Sequence, residues 1–190
     1  TNYEKSFFNR EIISFNQQLF RLKEKKIRIG IYGKSGVGKS SVLNSLLEKE
    51  IFKTNIINGS TKEIQSEEWV LKDQTLKSIE LIDSPGFDFC NIKFPDKIYS
   101  KINYSDLILF VVAGDINRNE VKEISSFIRD GKKIVLILNK IDLLKKNQLK
   151  EIIENIKIKL PKDLNIPIII HHENTLKNYI TKIINQYGEI

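Results

Sequence analysis

Short, mostly apolar runs alternate along the chain with longer segments in which apolar residues recur every three or four positions. The runs lie at residues 27–32, 107–112, 134–138 and 166–170. Runs of this length are typical of strands that are buried on both faces of a parallel sheet. The helical segments between them predict crossover units, with helices covering both faces of that sheet.

Helical spacing appears in residues 39–49 and in three later groups of apolar residues. The groups are Val121, Ile124, Phe127 and Ile128; Leu149, Ile152, Ile153 and Ile156; and Leu176, Tyr179, Ile180, Ile183, Ile184 and Tyr187. Two further strands, at residues 64–72 and 76–82, are separated by a short polar segment and predict a hairpin. We therefore expect an α/β fold, a three-layer sandwich with a mostly parallel six-stranded sheet.

An extra helix is predicted at residues 6–25, before the first strand. Its apolar seam consists of Phe8, Ile12, Phe15, Leu19 and Leu22. We expect residues 1–26 to form a helical extension and residues 27–190 to form the main domain. The seam could pack on the domain's own surface, form a helix–helix interface in a dimer or with a further helical domain, or contact a membrane surface.

The composition fits one globular domain. The chain has 190 residues, of which 41% are hydrophobic, and its formal net charge is +7. The lysines are spread along the whole length, so the charge permits a nucleic-acid or acidic-membrane partner without indicating a particular patch. The single cysteine, Cys90, excludes an internal disulfide and fits a reducing compartment. We therefore expect a cytoplasmic protein.

The segment GKSGVGKS at residues 33–40 has the spacing of a phosphate-binding loop and lies between a predicted strand and a predicted helix. Its glycines let backbone N–H groups approach a phosphate closely, and the helix N-terminus adds partial positive charge. Lys39 would reach the β- and γ-phosphates, and the Ser40 hydroxyl would ligate Mg²⁺. A glycine turn between core elements is the alternative. The predicted nucleotide-binding residues here are Gly33, Ser35, Gly36, Val37, Gly38, Lys39, Ser40 and Ser41.

The segment DSPG at residues 83–86 ends the second strand of the predicted hairpin. Asp83, at the carboxyl end of a strand, can hold the Mg²⁺ shell. The backbone N–H of Gly86 can donate to the γ-phosphate, which would make the following loop sensitive to hydrolysis. By itself, D-x-P-G is also a common turn sequence.

The segment NKID at residues 139–142 follows the apolar run at 134–138. The Asp142 carboxylate can accept two hydrogen bonds from guanine, whereas adenine offers no matching pair of donors. Asn139 would connect this loop to the phosphate loop, and the stem of Lys140 can cover the purine face. Asp142 could instead cap a short turn.

Together and in this order, the three segments resemble those of the translation-factor-type GTPases over about residues 27–187. The D-x-P-G form is similar to Era- and TrmE-like members. The phosphate loop, preceded by a helix, is more similar to septins and immunity-related, dynamin-like members. The resemblance implies a P-loop G domain that binds GTP and GDP with Mg²⁺ and hydrolyses GTP as a slow switch. It also implies two switch regions, at about residues 50–63 and 84–98, and a second copy or a protein partner at these regions or at the N-terminal helix. The location it implies is free in the cytoplasm or peripheral at a membrane or ribosome.

The resemblance implies further site residues. A threonine should ligate Mg²⁺ and take part in catalysis with Lys39 and Gly86. The candidates are Thr54 and Thr61, and Thr61 is favoured because it precedes a strand at a spacing that resembles Era-like members. Dynamin-like members suggest that Ser35 contacts the β–γ bridge. A backbone N–H near His172 would contact the guanine O6.

Phe87 occupies the position at which many members of the superfamily carry a glutamine that orients the attacking water. A phenyl ring cannot orient water by hydrogen bonding, so we expect hydrolysis to be slow without a partner. Two alternatives remain at this point. One is a non-catalytic GTP-binding and dimerisation module that acts in membrane remodelling or in ribosome- or RNA-related assembly. The other is a P-loop ATPase, against which Asp142 argues.

Overall fold

The computed structural model describes residues 26–52, 64–70, 78–86, 105–161, 165–171 and 175–188, together with residues 12–13, 15–16, 19–20 and 23. The strands are β1 (Lys26–Tyr32), β2 (Gln65–Trp69), β3 (Ser78–Asp83), β4 (Leu107–Val112), β5 (Lys133–Leu138) and β6 (Ile168–Ile170). The helices are α1 (Lys39–Leu47), α2 (Arg118–Arg129), α3 (Lys146–Lys159) and α4 (Thr175–Gly188), and a 3₁₀ turn spans Ile141–Leu143.

The six strands form one sheet in the order β2-β3-β1-β4-β5-β6. Only β2 runs antiparallel, and it pairs with β3 so that Gln65 lies opposite Asp83 and Trp69 lies opposite Ile79. The central strand, β1, pairs in parallel with both β3 and β4. The predicted hairpin and the predicted six-stranded, mostly parallel sheet are both confirmed.

Helices cover the sheet on both faces. Alternate residues of each strand point to opposite sides, so each strand contributes to two separate cores. In β4, Leu107, Leu109 and Val111 pack with one pair of helices, and Ile108, Phe110 and Val112 pack with the other. Helices α1 and α4 contribute Val42, Leu43, Leu46, Leu176 and Ile180 to the first core. Helices α2 and α3, with the residue after α3, contribute Ile124, Phe127, Ile156 and Leu160 to the second. The predicted three-layer sandwich is therefore correct.

Three elements are shorter than the sequence predicted, and one of them is β2, which spans Gln65–Trp69 rather than residues 64–72. Helix α1 ends at Leu47 rather than residue 49, because Glu48 takes the left-handed conformation with φ 55°. The Asn44 side chain then accepts from the N–H groups of Ile51 and Phe52 and holds the reversed chain. Strand β6 begins at Ile168 rather than residue 166, although the Pro167 carbonyl already accepts from the Leu136 N–H.

The described residues of the N-terminal segment are helical, in agreement with the helix predicted at 6–25. Three residues of its predicted seam, Ile12, Phe15 and Leu19, are exposed to 57%, 61% and 40%. At these three positions the seam is partly or largely exposed to solvent. Among the described residues, no helix is both long and apolar enough to cross a bilayer.

Candidate functional site

The phosphate-loop segment connects the end of the central strand β1 to the start of α1. Gly38 is the N-cap of α1 and has φ 91°, a conformation that side chains other than glycine adopt with strain. A β-carbon there would lie 2.3 Å from Asn139 Nδ2. Helix α1 has no side-chain cap and no acidic residue in its first turn, so its first N–H groups have the arrangement that binds anions.

Lys39 is the first residue of α1, yet it is only 6% exposed. Its ammonium donates to the carbonyl oxygens of Gly33 at 3.0 Å and Lys34 at 2.8 Å. Both acceptors belong to the phosphate loop. They therefore hold the Lys39 ammonium over this loop, next to the N-terminus of α1. A charge held in this way is placed to meet phosphate oxygens without a search through rotamers.

Ser40 and Asp83 join the start of α1 to the end of β3. The Ser40 hydroxyl donates to Asp83 Oδ2 at 2.7 Å. Asp83 is fully buried, and in the described part of the chain its Oδ1 has no hydrogen-bond partner of good geometry. Burial raises the pKa of Asp83, while the Ser40 hydrogen bond, the Lys39 charge and the Ser84 backbone N–H oppose that shift.

The two oxygens of this pair fit a magnesium ion. Mg²⁺ prefers oxygen ligands, keeps several of its waters, and is commonly bound by one or two protein groups together with phosphates. No group of three or more acidic, histidine or cysteine side chains is found among the described residues, so a protein-only metal cage is not present there. The buried, unpartnered Asp83 Oδ1 is an acceptor that a metal-bound water could satisfy.

The D-x-P-G segment lies directly on the phosphate loop. A β-carbon on Gly86 would come within 2.5 Å of Ser35 Cα and 2.8 Å of Ser35 N, so only glycine allows this approach. The neighbouring Ser84 hydroxyl donates to the Ile31 carbonyl at 2.7 Å and ties the end of β3 to β1. Gly86 is thus in direct contact with the phosphate loop at Ser35.

The N-K-x-D segment follows β5 and also reaches the phosphate loop. Asn139 is 8% exposed, its backbone N–H donates to the Val112 carbonyl at 2.8 Å, and its Nδ2 donates to the Val37 carbonyl at 2.9 Å. This is the connection between the two loops that the sequence suggested. Lys140 has φ 57°, and Asp142 lies exposed in the 3₁₀ turn, where a ligand can reach its carboxylate.

Two contacts at this site were not foreseen. His171 Nδ1 lies 2.8 Å from Asn139 Oδ1, although no pattern in the sequence favours His171 over His172. Lys34 Nζ lies 3.3 Å from Glu120 Oε1, and Glu120 is only 3% exposed. The pattern Asn117-x-x-Glu120 at the start of α2 is a capping box and could have identified Glu120 as structural, but not its contact with the loop.

Some of the remaining predicted site residues lie among the described residues, and others do not. Within the loop, Ser35 and Ser40 are partly buried, Val37 is buried, and Gly36 and Ser41 are exposed. Thr54, Thr61, Phe87, Cys90 and His172 lie outside the described residues, so the roles given to them stay predictions.

Fold and site together define a P-loop domain of the G-domain type, with three loops converging at the carboxyl ends of β1, β3 and β5. Residues 28–140 match the family described as 50S ribosome-binding GTPase, and the chain belongs to this family. The predicted resemblance to the translation-factor-type GTPases is therefore confirmed.

Relatives in the same family share a similar part of the chain. A tRNA modification GTPase MnmE from Thermoanaerobacter sp. (strain X514) is 36% identical over 143 residues, which are 70% of this chain and 29% of that protein. A GTPase Der from Deinococcus deserti is 30% identical over 172 residues, 85% of this chain and 35% of that protein. The chain thus spans about a third of the length of these relatives.

A solved structure of Era in complex with MgGDPNP and nucleotides of 16S ribosomal RNA has the same fold. It superposes with a TM-score of 0.70 at 22% sequence identity, over 85% of this chain and 56% of that chain.

Proposed function

We propose that this chain binds GTP and GDP with Mg²⁺ and hydrolyses GTP to GDP and phosphate as a slow molecular switch. The observation that supports the proposal most is the convergence of three loops. Asn139 is bonded to the phosphate loop through Val37, and Gly86 touches the same loop at Ser35. A nucleotide held at this point would contact three segments at once. These are the base loop (residues 139–142), the phosphate loop (residues 33–40) and the switch segment that begins at Gly86.

In this proposal the triphosphate lies along the phosphate loop, against the N-terminus of α1. The Lys39 ammonium and the loop N–H groups stabilise the charge that develops on the γ-phosphate and the bridging oxygen during attack by water. Ser40 and Asp83 would hold Mg²⁺, Ser40 as a direct ligand and Asp83 through a water, and the ion would neutralise charge on the phosphates. Thr61 is proposed as a further Mg²⁺ ligand, and the Gly86 N–H is proposed to bind the γ-phosphate.

The base is selected by the carboxylate of Asp142. Its exposed position leaves both oxygens accessible to the two donors of a guanine edge. Lys140 would cover the purine, and a backbone N–H near His172 would meet the guanine O6. An adenine would leave the carboxylate without donors, which lowers its affinity.

A partner would sense the γ-phosphate at the segment that begins at Gly86. Gly86 is in contact with Ser35 of the phosphate loop, so the presence of a γ-phosphate would affect its position. We propose an RNA-containing assembly as that partner, and the net charge of +7 is compatible with it. A tRNA modification GTPase among its relatives and the structure of Era bound to ribosomal RNA support this choice of partner.

Nucleotide titrations test this proposal. The purified chain should bind GTP and GDP in Mg²⁺ buffer and bind ATP at least about 100-fold more weakly. Lys39→Ala should lose about 100-fold or more in GTP affinity, because charge-assisted contacts to phosphate contribute about 1.5–3 kcal/mol each. Asp142→Asn should shift the preference from GTP towards xanthosine triphosphate.

Multiple-turnover phosphate release tests hydrolysis separately. We expect slow release from GTP in the wild type and none from Lys39→Ala. If the chain bound GTP but released no phosphate, even with an added ribosomal fraction, it would be a non-catalytic GTP-binding module. Equal affinity for ATP and GTP would show that the base loop has been misassigned.

A further inference from the structure

His171 lies immediately after β6, and its position is set by the sheet. Its backbone N–H donates to the Leu138 carbonyl at 2.9 Å, which extends the β5–β6 pairing by one hydrogen bond. Leu138 is the last residue of β5, and Asn139 follows it. The pairing therefore brings the His171 ring beside the Asn139 side chain.

The orientation of the Asn139 amide is determined by the atoms that face it. Nδ2 faces the Val37 carbonyl oxygen at 2.9 Å, and Oδ1 faces His171 Nδ1 at 2.8 Å. A carbonyl oxygen carries no proton, so the amide nitrogen must point to Val37. Oδ1 can only accept, and His171 must therefore carry a hydrogen on Nδ1.

We propose that His171 is a positioning residue for nucleotide binding, which donates from Nδ1–H to Asn139 Oδ1 and so holds the amide that joins the base loop to the phosphate loop. The proposal rests on the guanine-nucleotide function proposed above. Both the neutral Nδ1–H tautomer and the imidazolium supply this donor, whereas the Nε2–H tautomer does not.

The contact acts through a nearly buried group. Asn139 is 8% exposed, so an Oδ1 without its donor is poorly compensated by water. Rotation of the amide to find another donor would release the Val37 carbonyl and separate the two loops. At the γ-phosphate end of the site, Lys39 bonds to the carbonyl oxygens of the phosphate loop, and Ser40 bonds to Asp83. Loss of the donor should therefore weaken GTP and GDP binding alike and leave turnover at saturation unchanged.

Three substitutions of His171 distinguish the effect of the Nδ1–H donor from the effect of the imidazole ring. His171→Leu and His171→Ala remove the donor, and each should raise the Kd for GDP and for GTP by about tenfold. His171→Asn places an amide N–H₂ near the position of Nδ1 and should recover most of the affinity. The kcat should stay within about twofold of the wild type in all three.

A double-mutant cycle distinguishes positioning from loss of fold. Asn139→Ala removes the acceptor, so in that background His171→Leu should change the Kd by less than about twofold. Additive losses in the two backgrounds would show that His171 acts independently of Asn139, and the proposal would be wrong.

The tautomer can be measured without any nucleotide. In the nucleotide-free chain with ¹⁵N-labelled histidines, the ring signal that disappears in His171→Asn should show a protonated Nδ1. An unprotonated Nδ1 would overturn the proposal even if every substitution weakened binding. Failure of the wild type to bind guanine nucleotides would instead refute the proposed function, while the tautomer would still test the contact with Asn139.

Discussion

The Ser40 hydroxyl donates directly to Asp83 Oδ2 at 2.7 Å, across 43 positions of sequence. A hydroxyl oxygen keeps two lone pairs while it donates its one proton. Ser40 can therefore ligate a metal without giving up Asp83, and the buried Asp83 Oδ1 is available to a metal-bound water. This pair lies at the carboxyl end of β3, beside the β1 loop, where open α/β sheets bind their ligands.

Ser40→Ala should remove most of the magnesium dependence of GTP binding. The variant loses one Mg²⁺ ligand and the donor to Asp83, so the gain in GTP affinity on adding Mg²⁺ should fall by about tenfold or more. Titrations with Mg²⁺ and with EDTA measure this gain. Ser45→Ala, further along α1, is the matched control. An unchanged Mg²⁺ effect in Ser40→Ala would place the metal elsewhere.

Asp83→Asn should stabilise the nucleotide-free and metal-free chain at neutral pH. Burial raises the pKa of Asp83 above its unfolded value, so the folded state binds the proton more readily than the unfolded state. Stability is then greatest below the unfolded pKa and falls as the pH rises through the folded pKa. Asparagine carries no charge at any pH and avoids this loss.

Urea denaturation in EDTA at several pH values measures the effect. The advantage of Asp83→Asn should be largest near neutral pH and should shrink as the pH is lowered. Asp130→Asn, at the exposed end of α2, provides a carboxylate-to-amide control outside the site. An advantage that stays constant with pH would mean that the asparagine acts through packing and not through charge.

Gly86→Ala should reduce the preference for GTP over GDP. Its methyl group would lie 2.5 Å from Ser35 Cα, so residue 86 must move off the phosphate loop. If the Gly86 N–H binds the γ-phosphate, GTP affinity should fall by about tenfold, the value of one charge-assisted hydrogen bond, while GDP affinity changes little. Gly114→Ala is the control, since nothing lies within 4 Å of a β-carbon there. Equal losses for both nucleotides would argue against a γ-phosphate contact.

Lys34 and Glu120 should be energetically coupled. Their 3.3 Å ion pair joins the phosphate loop to the start of α2, where Glu120 Oε2 also accepts from the Asn117 N–H. Lys34→Met removes the positive charge that compensates the nearly buried Glu120 carboxylate, and should lower the free energy of unfolding by about 1–2 kcal/mol. The loss should be smaller than for a fully buried ion pair, because the Lys34 side chain is partly exposed.

Glu120→Gln keeps an acceptor for Asn117 and removes the charge. The double variant should therefore be less destabilised than the sum of the two single variants, by about 0.5–1 kcal/mol. Denaturant unfolding of the four proteins gives this coupling. Additive effects would mean that the pair contributes nothing beyond its separate contacts.

The sequence by itself determined the fold class and the three nucleotide segments. Apolar runs and helical spacing predict elements because burial imposes a period of two or of about 3.6 on local sequence. The phosphate loop could be recognised because its glycines, Lys39 and Ser40 are adjacent in the chain. Element ends were less predictable, as at Glu48, where the left-handed conformation depends on Asn44 capturing the returning chain.

Only the tertiary structure decided which side chains meet. The motifs placed Ser40 and Asp83 at one metal ion, but their direct hydrogen bond was not predicted. The pairs Lys34 with Glu120 and His171 with Asn139 are brought together by the order of the strands, and no local pattern encodes them. His171 and His172 are neighbours with the same chemistry, and the pairing of β6 with β5 places the first of them beside Asn139. Sheet register is a property of the whole chain, and for this reason the choice between two adjacent histidines required the folded molecule.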